Sequence, residues 1–328
     1  MIRRYKKIEK DSRLAAAEDR GHYSVGRCSA ARLLSFIFFF FFFYLLLSSS
    51  IFSSKAHAQG RQLDAETADS IKICTLLKNA RQQPTDANLP LFFARSFIGK
   101  PYVAHTLEVG DEERLVVNTR ELDCTTLVET VTALTKCAYE KKYTYAAYRA
   151  ALQAMRYRHG RINGYPSRIH YFTEWITENS KSGLVTEIQQ PDPPFTAVQT
   201  VSINYMSQHP QSYKALKAHP EYVPEIRRME QRVSGQQFRY IPKARVGRSA
   251  ELRQAVKDGD IIAITCNKAG LDIAHLGFAV WKNGNLHLLN ASQLHKKVVE
   301  EPMTLWQYLR QHPSHTGIRI IRINPPTK

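Results

Sequence analysis

Apolar residues recur at helical spacing through the first half of this chain and then in short strand-like runs through the second, and this change of period constrains the fold most. "DAETADSIKICTLLKNARQ" puts Ile71, Cys74, Leu76 and Leu77 near one face of a helix. "CTTLVETVTALTKC" does the same with Leu127, Val128, Val131 and Leu134, and "TYAAYRAALQAMRYR" repeats the pattern. "SRIHYFTEWITENS" predicts a shorter helix with Ser167 as its N-cap. From there the runs "TAVQTVSINYM", "FRYIPKARV", "GDIIAITC", "IAHLGFAVW", "NLHLLNAS" and "GIRIIRINP" predict strands. The pair Asn283-Gly284 predicts a tight hairpin between two of them. Helices first and an antiparallel sheet afterwards describe an α+β domain. The Pro-rich "QQPDPPF", residues 189–195, predicts a loop rather than a linker, so residues 59–328 are expected to form a single domain.

The first 58 residues differ in kind. Arg3, Arg4, Lys6, Lys7, Arg27 and Arg32 precede the apolar block "LLSFIFFFFFFYLLL", Leu33 to Leu47. That block is shorter than the roughly twenty residues of a membrane-spanning helix. Serines and then "AHAQ" follow, where Ala56 and Ala58 fit the small-x-small pattern of a cleavable export signal. Residues 1–58 are therefore expected to be a signal peptide, which puts the remainder in the periplasm or outside the cell with no stable membrane span. An uncleaved anchor is the alternative reading.

The chain of 328 residues carries 46 Lys+Arg against 29 Asp+Glu. Residues 1–58 hold 10 and 4 of these, leaving 36 against 25, a net charge of +11 on the exported part. A basic surface attracts anionic partners, and outside the cytoplasm those are cell-wall polymers and lipid headgroups. Zinc-finger spacing, an arginine-rich arm and an aromatic RNA-binding signature are all missing from the sequence, so nucleic acid is not an expected partner. The cysteines of the exported part, Cys74, Cys124, Cys137 and Cys266, contain no C-x-x-C pair, which argues against a structural zinc site or a disulfide framework. Cys74 with Cys137 is a candidate disulfide. No cofactor is indicated.

"RELDCTTLVETV", residues 120–131, places Cys124 in the first turn of a predicted helix. The positive end of a helix dipole favours thiolate, and a neighbouring His⁺ favours it further. A buried, inert thiol is the competing reading. Downstream, "DIAHLGFAV" supplies His275 on a strand, and "LHLLNAS" returns Asn290 past the Asn283-Gly284 turn. A nucleophile, a base and a group that orients the base are what covalent acyl transfer needs. His287 competes for the third role, but on an extended strand residues 287 and 290 face opposite ways.

The segments "GKPYVAHTLE", "ELDCTTLVE", "GDIIAIT", "IAHLGFAV" and "LLNAS" together resemble the NlpC-type papain-like cysteine hydrolases of cell walls. "RYRHGRINGYPSRIHYFTEWI" and "NYMSQHP" resemble, more narrowly, the N-acetylmuramoyl-L-alanine amidase-like branch of bacterial envelope proteins. The resemblance implies a papain-like α+β fold with N-terminal helices on a mainly antiparallel sheet. It implies hydrolysis of peptidoglycan or muropeptides by a monomer, with Cys124 as nucleophile, His275 as base, Asn290 orienting His275, and Tyr102 sharing the oxyanion with a backbone N–H. Asn290 departs from the histidine common among relatives at that position, and the charged "EVGDEERLVVNTRE" between Tyr102 and Cys124 predicts an extra loop near the site. In "GYPSRIHYF", Arg168 is a candidate for a stem-peptide carboxylate, with Ser167, His170 and Tyr171 beside it. Three alternatives stand beside this reading. They are an endopeptidase cutting between D-glutamate and the diamino acid, a non-catalytic peptidoglycan-binding protein, and a zinc amidase built from His159, His170, Cys266 and His275.

Overall fold

The computed structural model describes residues 65–326, and the leader predicted for residues 1–58 lies outside them. Helix α1 covers residues 65–81, followed by α2 (Leu89–Arg95), α3 (Cys124–Tyr139), α4 (Tyr145–Arg156) and α5 (Phe172–Lys181). These are the helices the sequence predicted, with α2 added. A second helical group, α6 (Tyr205–Gln208), α7 (Lys214–Ala218) and α8 (Val223–Val233), interrupts the strand-rich half, and α9 (Ser249–Ala255) and α10 (Leu305–Arg310) complete the set. Among the described residues no helix is long and apolar enough to cross a membrane.

The strands are β1 (Val185–Ile188), β2 (Ala197–Thr200), β3 (Gln237–Pro242), β4 (Ile261–Cys266), β5 (Ile273–Lys282), β6 (Asn285–Ser292), β7 (Lys297–Glu300) and β8 (His315–Ile323). They form one eight-stranded sheet in the order β2-β3-β8-β4-β5-β6-β7, with β1 sharing an edge of β8 with β3. Every pair is antiparallel. The β5–β6 hairpin turns at Asn283 and Gly284, whose φ values of 48° and 80° are the two left-handed residues such a turn demands.

Strand β4 explains its own sequence. Every residue of "IIAITC" is buried, because both faces of the sheet are covered. On one face Ile261 and Ala263 pack with Leu127, Val131, Leu134 and Trp175 of the N-terminal helices. On the other, Ile262 and Ile264 pack with Leu252 of α9 and Leu305 and Leu309 of α10. A third cluster, centred on Ile226, Met229 and Met206, lies under α6 to α8.

Four sequence expectations are corrected. The strand predicted over "TAVQTVSINYM" stops at Thr200, because Ser234 Oγ takes up Ile203 N–H and then Tyr171 and Glu230 capture the N–H of Met206, starting a helix instead. Helix α5 begins at Phe172, not after Ser167. Ser167 closes a one-turn 3₁₀ segment, where its hydroxyl donates to Gly164 O at 2.7 Å. Cys74 and Cys137 are both free thiols, so the candidate disulfide is not formed. The strand predicted through "FRYIPKARV" ends at Pro242, which has no N–H to continue a ladder.

Candidate active site

Cys124 is the first residue of α3. Asp123 caps the helix: its carboxylate accepts the Thr126 N–H at 2.8 Å, and Thr126 Oγ1 accepts the Asp123 N–H at 2.9 Å. This reciprocal pair holds the turn in which Cys124 sits. Like every first-turn N–H, that of Cys124 has no acceptor within its own helix. Thr125 and the backbone N–H of Leu276 on β5 lie near enough to the sulfur to favour its thiolate. Leu276 directly follows His275, so the thiol is tied to the strand that carries the imidazole.

His275 Nε2 lies 3.0 Å from Asn290 Oδ1. The Asn290 amide nitrogen points to Leu288 O at 3.5 Å, which assigns the oxygen to the imidazole. Because Oδ1 only accepts, Nε2 carries the proton and Nδ1 is left as the basic nitrogen. Two backbone features make this contact. A β-bulge beside His275 shifts the β4–β5 register between Ile264 and Thr265, and bulges commonly re-aim a side chain. At Gly277 a Cβ would stand 2.7 Å from Leu289 O, so only glycine lets β5 lie this close to β6, where Asn290 is fully buried. His287 is elsewhere, its Nδ1 at 3.1 Å from Glu301 O, as strand alternation predicted.

The charge state differs from the sequence expectation. Burial, then the Asp123 carboxylate, push the Cys124 thiol up to about 12 despite the helix N-terminus. Burial also lowers His275 below the usual histidine value, and the bond to Asn290 only partly offsets this. The dipole favours thiolate by a fraction of a charge, whereas Asp123 presents a full carboxylate one residue away. The resting pair is therefore neutral thiol and neutral imidazole.

Tyr102 is half-buried beside the segment that leads into α3: Val103 N–H donates to Leu122 O at 3.1 Å and Leu122 N–H to Pro101 O at 3.0 Å. Burial, followed by the nearby Cys124, Asp123 and Tyr308, raises its phenol well above the ordinary tyrosine value. It remains a proton donor. A loop between Tyr102 and Cys124 is present, as predicted, and residues 107–113 of it form one wall of an open cavity. That cavity is lined by Arg168 but not by Cys124 or His275.

The four candidates in "GYPSRIHYF" divide. Arg168 faces the cavity, 7% exposed, with Nη2 3.4 Å from Glu113 Oε2 and its guanidinium 4.8 Å from the Tyr165 ring centroid. His170 Nε2 is engaged with Tyr165 O at 2.9 Å, and burial takes it well below the usual histidine value. Tyr171 is buried and donates to Glu230 Oε1 at 2.7 Å while accepting Met206 N–H at 3.0 Å; its hydroxyl is committed to the core. Ser167 is committed to its own turn, accepting Asn163 N–H as well. Cys266 packs its sulfur near the carbonyls of Leu271 and Asp272. Among the described residues no three His, Cys, Asp or Glu side chains gather as metal ligands.

Sequence reasoning missed the far wall of the site. Tyr308 on α10 stacks at 6.3 Å from the His275 ring, and its phenol is raised by burial, then by Glu301 and Cys124. His312 and His315 stack on each other at 4.6 Å, and burial first, then His312, takes His315 down to about 3. The spacing 308, 312, 315 in "YLRQHPSH" was the available signal, but a helix end at Arg310 and a strand start at His315 hide it. Fully buried Glu301 holds His295 Nε2 at 3.0 Å behind them.

The chain is thus an α+β protein with a thiol at a helix start and a strand imidazole held by a buried carboxamide. Residues 92–318 match the AmiA-like family, described as N-acetylmuramoyl-L-alanine amidase-like, and the chain belongs to that family. A crystal structure of an N-acetylmuramoyl-L-alanine amidase from Bacteroides uniformis ATCC 8492 is 42% identical, with a TM-score of 0.68, covering 72% of this chain and 98% of that one. A Bacteroides fragilis protein provisionally described as a xylanase is 41% identical, with a TM-score of 0.66, covering 70% and 99%. A Legionella pneumophila protein is 22% identical with a TM-score of 0.64, covering 80% and 97%, and shows the shared fold alone. No curated protein sequence matches.

Proposed function

We propose that this chain is an exported cysteine amidase that cleaves the bond between N-acetylmuramic acid and L-alanine in peptidoglycan or its fragments, on an NlpC-type papain-like fold. The observation that carries the reading is the linked set Cys124, Leu276 N–H, His275 and Asn290. Family membership supports the amide as target, and the 42% identical amidase from Bacteroides uniformis supports the bond. The export signal read in residues 1–58 supports a periplasmic or secreted location.

The mechanism follows from the protonation states. His275 Nδ1 takes the Cys124 proton as the sulfur attacks the lactyl carbonyl carbon, forming the C–S bond. The carbonyl oxygen becomes an oxyanion, held by the Cys124 backbone N–H and the Tyr102 hydroxyl. Asn290 Oδ1 holds the imidazolium through Nε2–H. On collapse the C–N bond breaks, His275 returns the proton to the leaving amine of L-alanine, and a thioester remains on Cys124. Water, deprotonated by the same imidazole, attacks the thioester, and the thiol leaves with the proton. One water is consumed per bond cleaved, and nothing is oxidised.

Digestion of defined muropeptides followed by mass spectrometry tests the bond assignment. Release of a peptide with a free L-alanine amine is the expected result. Cuts confined to the bond after D-glutamate would make the chain an endopeptidase instead.

A further inference from the structure

The cavity beside the 107–113 loop has Arg168 and Tyr165 on one side, Lys214 and Tyr222 on another, and Glu108 and Asp111 along the loop. Arg168 is 93% buried, yet its Nε has no hydrogen-bond partner. Its ion pair with Glu113 is loose at 3.4 Å, and burial holds the Glu113 carboxyl above the usual carboxylate range. A buried guanidinium normally has its donors filled, because an unfilled one costs its desolvation. Glu108 presents the opposite charge: its bond to His105, with help from the charges of Arg168 and Lys214, keeps its carboxyl below the usual range and ionised. A guanidinium with a spare donor at Nε and an ionised carboxylate thus line one cavity, whose loop wall belongs to the segment between Tyr102 and Cys124.

We propose that this cavity is a recognition subsite for the free amino-acid end of a peptide, a carboxylate and an ammonium on one carbon. Arg168 takes the carboxylate, Glu108 takes the ammonium, and Lys214 at the rim adds long-range attraction for the carboxylate. The assignment rests on the amidase reading, in which the diamino acid of the stem peptide ends in such a group. It deepens that reading by naming the part of the substrate that is selected.

Calorimetry on the full-length Cys124→Ala protein tests it without turnover. The probes are the tripeptide L-Ala-γ-D-Glu-diaminopimelate and the same peptide with L-lysine in third place, which keeps the ammonium and lacks the carboxylate. The expected result is binding about tenfold weaker or more for the lysine peptide, the loss of one charged contact. That preference shrinks when Arg168→Lys is added, and Glu108→Gln weakens both peptides while leaving the melting temperature unchanged. Equal affinities for the two peptides, or unchanged affinities in Glu108→Gln, overturn the subsite. A protein that binds selectively yet releases no L-alanine amine from muropeptides upholds the subsite and sinks the amidase assignment; equal cleavage of both muropeptide types does the reverse.

Discussion

At the scale of single residues, the site works from neutral partners. Cys124 is held up to about 12 and His275 is lowered by burial, so the active form has a free imidazole. Activity therefore falls only when acid protonates His275. Its acid limb is expected below pH 6.5, the ordinary histidine value, with no thiol limb through neutral pH; a pH profile of kcat/KM with a thiol limb near neutrality would instead indicate a resting thiolate. Tyr102 stays protonated because burial and the surrounding acids raise its phenol. Tyr102→Phe is expected to lower kcat by about 10²–10³, the usual loss for one oxyanion donor, with a much smaller effect on KM. The contact between His275 and Asn290 was legible beforehand. Cys124, His275 and Asn290 each stood next to a local signal, a helix start, a strand and a hairpin, and two of them meet at 3.0 Å. Tyr308, Glu301 and the stacked His312 and His315 were not legible, since they arrive from β7, α10 and β8 through pairing that no local pattern encodes. The thiol's raised value was missed for another reason: sequence gives the dipole but not the depth of burial.

At the scale of elements, the site depends on how α3 is anchored. Glu129, one turn beyond Cys124, is buried with Arg156 of α4, whose Nε donates to Oε2 at 2.8 Å, and both side chains are 2% exposed. Arg156 Nη1 also donates to Val116 O at 2.6 Å, which fixes the loop between Tyr102 and Cys124. Removing one partner of such a pair strands the other charge. Glu129→Ala is expected to cost about 3–5 kcal/mol in urea unfolding and to loosen the loop; a loss below about 1 kcal/mol would show that water reaches Arg156 and that the anchor is weaker than its burial implies. The helical half of the fold was readable because amphipathic periods survive packing. The α6 to α8 insertion was not, because its first turn is set by Tyr171 and Glu230, distant in sequence, and not by "TVSINYM" itself.

At the scale of the whole molecule, the eight-stranded antiparallel sheet sets β5 and β6 side by side, and the start of α3 lies against β5 at Leu276, the residue that follows His275. Both sheet faces are covered, and Cys124 and His275, though largely buried, keep part of their surface exposed. In the proposed mechanism the sulfur of Cys124 performs the attack. Turnover of a defined muropeptide by Cys124→Ala, compared with the unaltered chain at matched far-ultraviolet circular dichroism, tests it most directly. Loss of measurable L-alanine amine release in a folded protein is the expected result. Release at the unaltered rate would contradict it.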